Sequence, residues 1–176
     1  TGTRDRRRDL ERVETRFRHS QDSLFLIDVG EQFSIERVSP AYEDATGVSA
    51  WDVQGRTPTQ LLGEEQGAAV EARYRECVER REPLQYTEEL QFGSEPSYWE
   101  TKVAPVVVED TVEYIAGSTR NITERERRKT ELQEYETIIE ALSDAVYVLD
   151  EEGQFRYVND EFVELVGYDR NTILGN

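Results

Sequence analysis

Methionine is absent from this 176-residue chain, and cysteine and histidine occur once each, as Cys77 and His19. A single thiol cannot form a disulfide within the chain, and it cannot build a cysteine cluster for zinc. His19 lies near the N terminus, so the rest of the chain has no histidine that could act as a general base. We therefore expect a protein of a reducing compartment, with no metal site.

Long apolar runs and a signal peptide are also missing. The chain has no stretch of about 18 apolar residues, the length that suggests a membrane-spanning helix, and its first residues, TGTRDRRRDLERVETRFR, lack the apolar segment of a secretory signal. We expect a cytoplasmic protein with no membrane segment in these residues. Because methionine is missing, we interpret residue 1 as an internal position of a longer protein.

Basic residues are in the minority: 21 Lys and Arg stand against 38 Asp and Glu, for a net charge of −17. Such a charge repels phosphate backbones, so we expect no nucleic-acid binding. Lysine is especially scarce, with only Lys102 and Lys129. This balance favours a protein from a salt-loving microbe, and an ordinary acidic mesophilic domain is the alternative.

Signatures of catalysis are missing as well. No glycine-rich phosphate loop occurs, and the one short segment of similar spacing, GEEQG, is acidic. The many carboxylates fit a solvated acidic surface better than an acid and base pair. We expect that this chain is not itself an enzyme.

The sequence contains a repeat. VSPAYEDATG at 38–47 and VNDEFVELVG at 158–167 share a valine, an aromatic residue and a closing glycine at the same spacing. The preceding residues also match, since Gln32-Phe33 pairs with Gln154-Phe155. The chain therefore holds one full unit, a linker, and the first third of a second unit.

The spacing of apolar residues changes along the full unit. SLFLIDV (23–29) and QFSIERV (32–38) are typical of short strands around a turn. SPAYEDATG, TPTQLL and EEQGAAVEARYRECVERRE are typical of helices. LQYTEELQF, SYWETKVAPVVVE and TVEYIAGSTRNI then alternate as strands. The pattern predicts an α+β fold, with a five-stranded antiparallel sheet and its helices on one face.

These motifs resemble the PAS domain family. The resemblance rests on VNDEFVELVGYDRNTILGN after a hairpin, on the sheet ending YIAGSTRNITERERRKTELQEYETIIEAL, and on Tyr98 preceding Pro105. Two departures are Ser39 where the family has Asn, and Asn121 where it has Asp. The predicted division is an N-terminal linker helix at 1–22, a complete PAS domain at 23–121, a coiled-coil-type linker helix at 122–143, and a truncated second PAS domain at 144–176.

The resemblance implies a signalling module within a multi-PAS protein, of histidine-kinase or transcription-regulator type and of haloarchaeal origin. The chain would sense a small molecule or relay a conformational signal to a downstream output domain, with adjacent PAS and output domains as its partners. The alternative is a dimerisation and relay scaffold that binds no ligand. The parent protein, though not this piece of it, could then be a sensor histidine kinase.

A pocket between sheet and helices is the candidate sensing site. Its predicted lining is Phe25, Ile27, Tyr42, Tyr74, Cys77, Tyr86, Trp99, Thr101, Ile115 and Thr119. With no charged group in it, such a pocket would suit a small apolar or aromatic ligand, and the alternative is that the aromatic rings only fill the core. Haem is not expected because the helix at 64–82 has no histidine. A covalent flavin is not expected because WDVQGRTPTQLL replaces the Asn-Cys-Arg-type motif of flavin photosensors.

The two linkers suggest how a signal leaves the domain. Asn121, Ile122 and Thr123 form the predicted exit motif. An apolar seam of coiled-coil spacing is predicted at Leu10, Val13, Phe17, Leu132, Tyr135, Ile139 and Leu142. We expect a homodimer that pairs through these helices, and the alternative is a lone amphipathic helix lying on its own sheet.

Overall fold

The computed structural model describes residues 12–175. These residues form two compact units, and the chain passes from the first to the second between Thr123 and Glu124. Among residues 12–175, no helix combines the length and the apolar character that crossing a bilayer requires.

The first unit is built on a five-stranded antiparallel sheet. Its strands are β1 (Ser23–Val29), β2 (Phe33–Val38), β3 (Leu84–Leu90), β4 (Ser97–Val108) and β5 (Thr111–Asn121). They lie in the order β2-β1-β5-β4-β3, and each neighbouring pair is antiparallel. The predicted α+β fold is therefore confirmed.

The helices of this unit precede or connect the strands. Residues 12–19 are helical (α1), and the others are α2 (Pro40–Thr46), α3 (Ala50–Val53), α4 (Pro58–Leu62) and α5 (Glu64–Arg80). The α2 helix begins where Ser39 accepts a hydrogen bond from the Tyr42 amide, and it ends at Gly47, whose φ of 72° suits glycine.

One face of the sheet carries the core. On β4, Trp99, Thr101 and Val103 are buried, whereas Lys102 between them is exposed. This alternation follows the predicted one, because successive strand residues point to opposite faces. Tyr74 of α5 packs against the buried face, with its ring 6.3 Å from that of Phe25 on β1.

Two glycines, Gly67 and Gly117, allow neighbouring elements of the first unit to pack closely against their backbone. A Cβ at Gly67 would lie 2.3 Å from the Cα of Thr59, so α5 can contact α4 only without a side chain there. A Cβ at Gly117 would lie 2.1 Å from the ring of Phe25. The Phe25 ring therefore lies directly over the β5 backbone.

The second unit contains the long helix α6 and a partial sheet. Its elements are α6 (Thr123–Ala141), β6 (Tyr147–Leu149), β7 (Phe155–Val158), α7 (Asp160–Val166) and α8 (Arg170–Leu174). The rings of Tyr147, Phe155 and Phe162 pack together at 5.3 to 5.8 Å, while Val148 on β6 is 47% exposed. The aromatic residues of this half-formed core therefore contact one another, although a two-stranded sheet cannot cover them fully.

Candidate functional site

The first unit encloses a cavity between its sheet and its helices. The free volume of the cavity is about 50 Å³. It is lined by Phe25, Ile27, Ile35, Tyr42, Thr46, Pro58, Leu61, Leu62, Val70, Tyr74, Glu88, Leu90, Phe92, Trp99, Thr101 and Thr119.

Most of the predicted pocket residues line this cavity, and three do not. Cys77 and Ile115 are fully buried in the core, and Tyr86 is half-buried on β3. The Cys77 thiol lies at the C-terminal end of α5, where it is 3.6 Å from the Glu82 carbonyl oxygen, and burial raises its pKa. Periodicity correctly predicts that these three side chains face the core. It does not predict whether they lie beside the cavity or elsewhere in the core.

The expectation of a pocket without a charged group is wrong, because Glu88 lines the cavity. Its position follows from strand alternation: Leu84, Tyr86, Glu88 and Leu90 occupy the covered face of β3, while Gln85 and its alternate neighbours are exposed. The sequence pattern therefore carried this signal. It was missed because the abundant carboxylates were all assigned to the surface.

Glu88 belongs to a short hydrogen-bonded row across three strands. The hydroxyl of Thr101 on β4 donates to Glu88 Oε1 at 2.9 Å, and the hydroxyls of Thr101 and Thr119 are also 2.9 Å apart. A hydroxyl has one proton to donate. When Thr101 donates to the ionised Glu88, it must therefore accept from Thr119 on β5.

Burial dominates the electrostatics of this row. It raises the pKa of Glu88, and the hydrogen bond from Thr101 and the positive charge of Arg73 partly oppose that rise. Burial, reinforced by the charge of Glu88, raises the pKa of Tyr42 to about 12. Within residues 12–175, the buried hydroxyl of Tyr86 has no hydrogen-bond partner. The pocket is thus a largely apolar space with one carboxyl group.

The predicted exit residues form a compact latch at the end of β5. The side-chain oxygen of Asn121 accepts hydrogen bonds from the Thr123 amide at 3.0 Å and from the Thr123 hydroxyl at 2.6 Å. The Tyr98 amide donates to the Thr123 hydroxyl oxygen at 2.9 Å, and the Ile122 amide donates to the Tyr98 carbonyl at 2.8 Å. A neutral amide thus supplies the acceptor that the family's Asp would supply, and Thr123 is held to β4 at its Tyr98 amide.

The family follows from comparison with known proteins. A sequence profile described as PAS fold matches residues 17–127, and a second PAS-fold profile matches residues 133–176. The chain belongs to the PAS-fold family. No curated protein is significantly similar to it.

Solved structures agree with this PAS fold. An RNA-binding light-oxygen-voltage receptor superposes with a TM-score of 0.60 at 22% identity, over 73% of this chain and 37% of that one. A LOV protein from Rhodobacter sphaeroides gives 0.56 at 20% identity, over 66% and 68%. A PAS domain from Colwellia psychrerythraea gives 0.56 at 15%, over 65% and 98%. At these identities the likeness concerns the fold alone, and this chain spans about a third of the receptor.

The described PAS pocket does not fit haem or a covalently bound flavin. Its free volume of about 50 Å³ is far below the roughly 300–1,000 Å³ of typical ligand pockets. Trp99 and Phe92 fill part of the space, with their rings packed edge to face at 5.6 Å. The thiol of Cys77 does not line the cavity, so it is not placed to form a bond to a group bound there.

Residues 12–175 contain no group of three or more His, Cys, Asp or Glu side chains placed to hold a metal ion. Several acidic residues of the described chain are instead engaged in ion pairs. Arg37, for example, lies 3.2 Å from Glu14.

Two positions of the predicted dimer seam in the PAS linkers differ from the prediction, and a third is not described. Leu10 lies outside the described residues, and Phe17 is half-buried beneath the guanidinium of Arg37, 4.7 Å from its ring centre. The linker helix was expected to reach residue 143, but α6 ends at Ala141, so Leu142 follows the helix. The apolar residues Val13, Leu132 and Tyr135 are 66%, 64% and 55% exposed, and Ile139 is half-buried.

Proposed function

We propose that this chain is a sensory relay module, in which the state of the pocket is passed through β5 to the helix α6 and on to further domains. The observation that carries the proposal is the continuity between the pocket and the exit. Thr119, which closes the Glu88 and Thr101 row, is on the same strand as Asn121, which holds the first residue of α6. The PAS fold supports such a role.

The physical basis is a change in hydrogen bonding at one end of a stiff strand. Thr119 pairs with Thr101 on β4 and with Ser23 on β1, so a change in the Thr101 hydroxyl affects the middle of the sheet. Two residues later, Asn121 is paired with Trp99, which itself lines the pocket. A ligand that moved Trp99 or took the place of Thr101 on Glu88 would thereby alter the attachment of Thr123.

We also propose that the module acts as a homodimer through α6. In the described structure, α6 has no buried residue, and Leu132 and Tyr135 present exposed apolar surface. A second copy of the same helix would cover that surface with the spacing of a coiled coil. The parent protein would be a cytoplasmic signalling protein from a salt-loving microbe, with a histidine-kinase or transcription-regulator output, and this piece would not catalyse a reaction.

A second candidate is a relay scaffold that binds no ligand. The small free volume of the pocket, about 50 Å³, favours it. In that case the same latch would transmit changes that arise in a neighbouring domain.

Hydrogen exchange of a Thr101→Val variant tests the relay. Loss of the Thr101 hydroxyl removes both bonds of the row, and we expect exchange of the Ile122 and Thr123 amides to accelerate about fivefold or more, as a loss of about 1 kcal/mol implies. The Ile35 amide, bonded to the Arg56 carbonyl at 2.9 Å, is the internal reference for global unfolding.

Thr87→Val is the matched control, because Thr87 is exposed on β3. Equal exchange at Ile122 and Thr123 in both variants and in the wild-type protein would contradict the relay through β5.

A further inference from the structure

The first-unit pocket combines one carboxylate with aromatic walls. Glu88 is half-buried and lines the cavity. In the described part of the chain, its hydrogen-bond donor is the Thr101 hydroxyl, which is neutral. A carboxylate removed from water is stabilised best by a positive charge that also donates hydrogen bonds. The pocket therefore has an electrostatic preference that its own lining residues do not satisfy.

Arg73 does not meet this preference fully. Its guanidinium is exposed, lies 3.4 Å from Glu76 and stacks 5.2 Å from the ring centre of Tyr86. Arg73 is not among the residues that line the cavity. Its charge lowers the pKa of Glu88 by less than burial raises it, so the field at the carboxylate still favours a further positive charge.

The walls of the cavity favour the same class of ligand. Rings of Phe25, Tyr42, Tyr74, Phe92 and Trp99 surround the space. The faces of such rings carry negative charge density and attract cations, most strongly when water is excluded. A ligand with a positive nitrogen and short carbon branches would contact the carboxylate and the rings together.

The size of the cavity limits the ligand further. One water-sized atom needs roughly 10–15 Å³ of free volume. The free volume of about 50 Å³ therefore suits an ion of about four non-hydrogen atoms without rearrangement of the rings. The overall charge of −17 also raises the concentration of cations near the protein.

We propose that this cavity binds a small alkylammonium ion, whose N–H group donates to the Glu88 carboxylate and whose carbon atoms lie among the aromatic rings. The inference rests on the proposed sensory function, since the ion would compete with Thr101 for Glu88 and so act on the row that leads to β5. It replaces the apolar or aromatic ligand expected from the sequence.

Isopropylammonium and isopropanol form a matched pair of probes, because both have four non-hydrogen atoms of the same shape and only the first is charged. Each is titrated into the whole chain at constant KCl, and binding is followed by amide chemical shifts of Thr101 and Thr119. We expect the ammonium ion to bind about tenfold more tightly than the alcohol, as a hydrogen bond to a charged group implies.

Glu88→Gln and Glu89→Gln give the site-specific test. Glu88→Gln should reduce the preference to less than about twofold, whereas Glu89→Gln, on the exposed face of β3, should leave it unchanged. Equal binding of the two probes by the wild-type protein, or an unchanged preference in Glu88→Gln, would overturn the proposal. So would displacement of isopropylammonium and isopropanol by KCl to the same extent. The wild-type comparison stands even if Glu88→Gln fails to fold.

The two proposals fail in different ways. If isopropylammonium binds through Glu88 but exchange of the Ile122 and Thr123 amides does not change, the relay is wrong and the ligand class is right. If Thr101→Val alters exchange at the exit but neither probe binds, the relay is right and the ligand class is wrong.

Discussion

Ser39 and Asn159 perform the same task in the two units of the chain. Each is completely buried, stands directly before a short helix, and accepts a hydrogen bond from the backbone amide three residues later. Each also accepts from a second backbone amide, that of Leu24 in β1 at 2.9 Å for Ser39 and that of Val146, just before β6, at 2.8 Å for Asn159.

Asn159 donates one bond more than Ser39, whose hydroxyl donates to the Asp22 carbonyl at 3.4 Å. Its NH₂ group donates to the Asp144 carbonyl at 2.9 Å and to the Ile139 carbonyl at 3.3 Å. Ile139 is in the last turn of α6, so the asparagine fixes the end of this helix to the rest of the second unit.

Asn159→Ser should therefore weaken that junction. The serine hydroxyl can still accept from the Val146 and Phe162 amides and can donate to the Asp144 carbonyl, as Ser39 does to that of Asp22, but the bond to the Ile139 carbonyl is lost, at a cost of about 1 kcal/mol. We expect faster amide exchange at 140–147 and loss of cooperative unfolding in the second unit. Asn171→Ser, at an exposed position of α8, is the control, and equal effects of both changes would show that Asn159 is not the connection.

The close packing at Gly67 and Gly117 gives a prediction about stability. Gly67→Ala gains roughly 1 kcal/mol of helix propensity, but its Cβ would meet the Thr59 backbone at 2.3 Å, and a backbone cannot rotate away. At Gly117 the obstacle is the Phe25 ring, which can shift. We expect Gly67→Ala to lower the free energy of unfolding by about 3 kcal/mol or more and Gly117→Ala by about 1–3 kcal/mol.

Urea denaturation measures both glycine variants. Gly93→Ala is the control, because a Cβ there meets nothing within 4 Å, and its effect should be within about 0.5 kcal/mol. If Gly67→Ala were as stable as the wild-type protein, α4 and α5 would not pack as described.

The strands and the family could be predicted from the sequence because both depend on local patterns. Period-two alternation identified β3, β4 and β5, and the repeated V-x-x-x-[YF]-x-x-x-x-G spacing identified the helix that follows β2. Depth within the core is not a local property. Cys77 and Ile115 therefore appeared equivalent to residues of the pocket, although other core residues cover them completely.

The inward orientation of Glu88 could be predicted from strand alternation, but the acidic composition of the chain concealed it. The alternation that places Leu84 and Leu90 inward places Glu88 inward too, but the high acidic content favoured a surface position for every carboxylate. The end of α6 before Leu142 was also missed, because apolar spacing continues past the residue at which the helix stops.

The raised pKa of Glu88 predicts a pH dependence of stability. The folded state holds the Glu88 proton more strongly than the unfolded state does, so ionisation of Glu88 opposes folding above its folded-state pKa. Glu88→Gln keeps an oxygen that accepts from Thr101 and removes the charge. We expect Glu88→Gln to be more stable than the wild-type protein at pH 7, and the difference to shrink as the pH falls toward about 4.

Thermal unfolding across that pH range measures this difference. Glu89→Gln, exposed on the same strand, should show no such convergence with the wild-type protein. If Glu88→Gln were less stable than the wild-type protein at pH 7, the charge of Glu88 would be stabilised by groups other than those described.

The net charge predicts a dependence on salt. Repulsion among 38 acidic residues opposes the compact state, and salt screens it because the Debye length falls to about 3 Å at 1 M. The melting temperature should therefore rise as KCl increases from low to molar concentration. A flat or falling melting temperature would contradict a halophilic origin.

The linker helix predicts a dependence on helical phase. Leu132, Tyr135 and Ile139 are in α6, and Arg128 precedes them in the same helix. Since an α-helix turns about 100° per residue, one residue inserted after Arg128 rotates this seam relative to the exit motif, and seven residues return it to nearly its original phase. In the full-length parent, we expect the first insertion to uncouple output from the pocket and the second to restore it.

Cross-linking in the same helix separates loss of coupling from loss of the dimer. In a Cys77→Ser background, Tyr135→Cys should form a disulfide between two chains much more readily than Glu134→Cys, because parallel pairing brings the same seam residue of each copy together. Both insertions should preserve that preference, since the seam itself stays intact beyond the insertion. Equal output from the one-residue and seven-residue insertions, with the cross-link retained, would rule out a relay that depends on the rotational phase of α6.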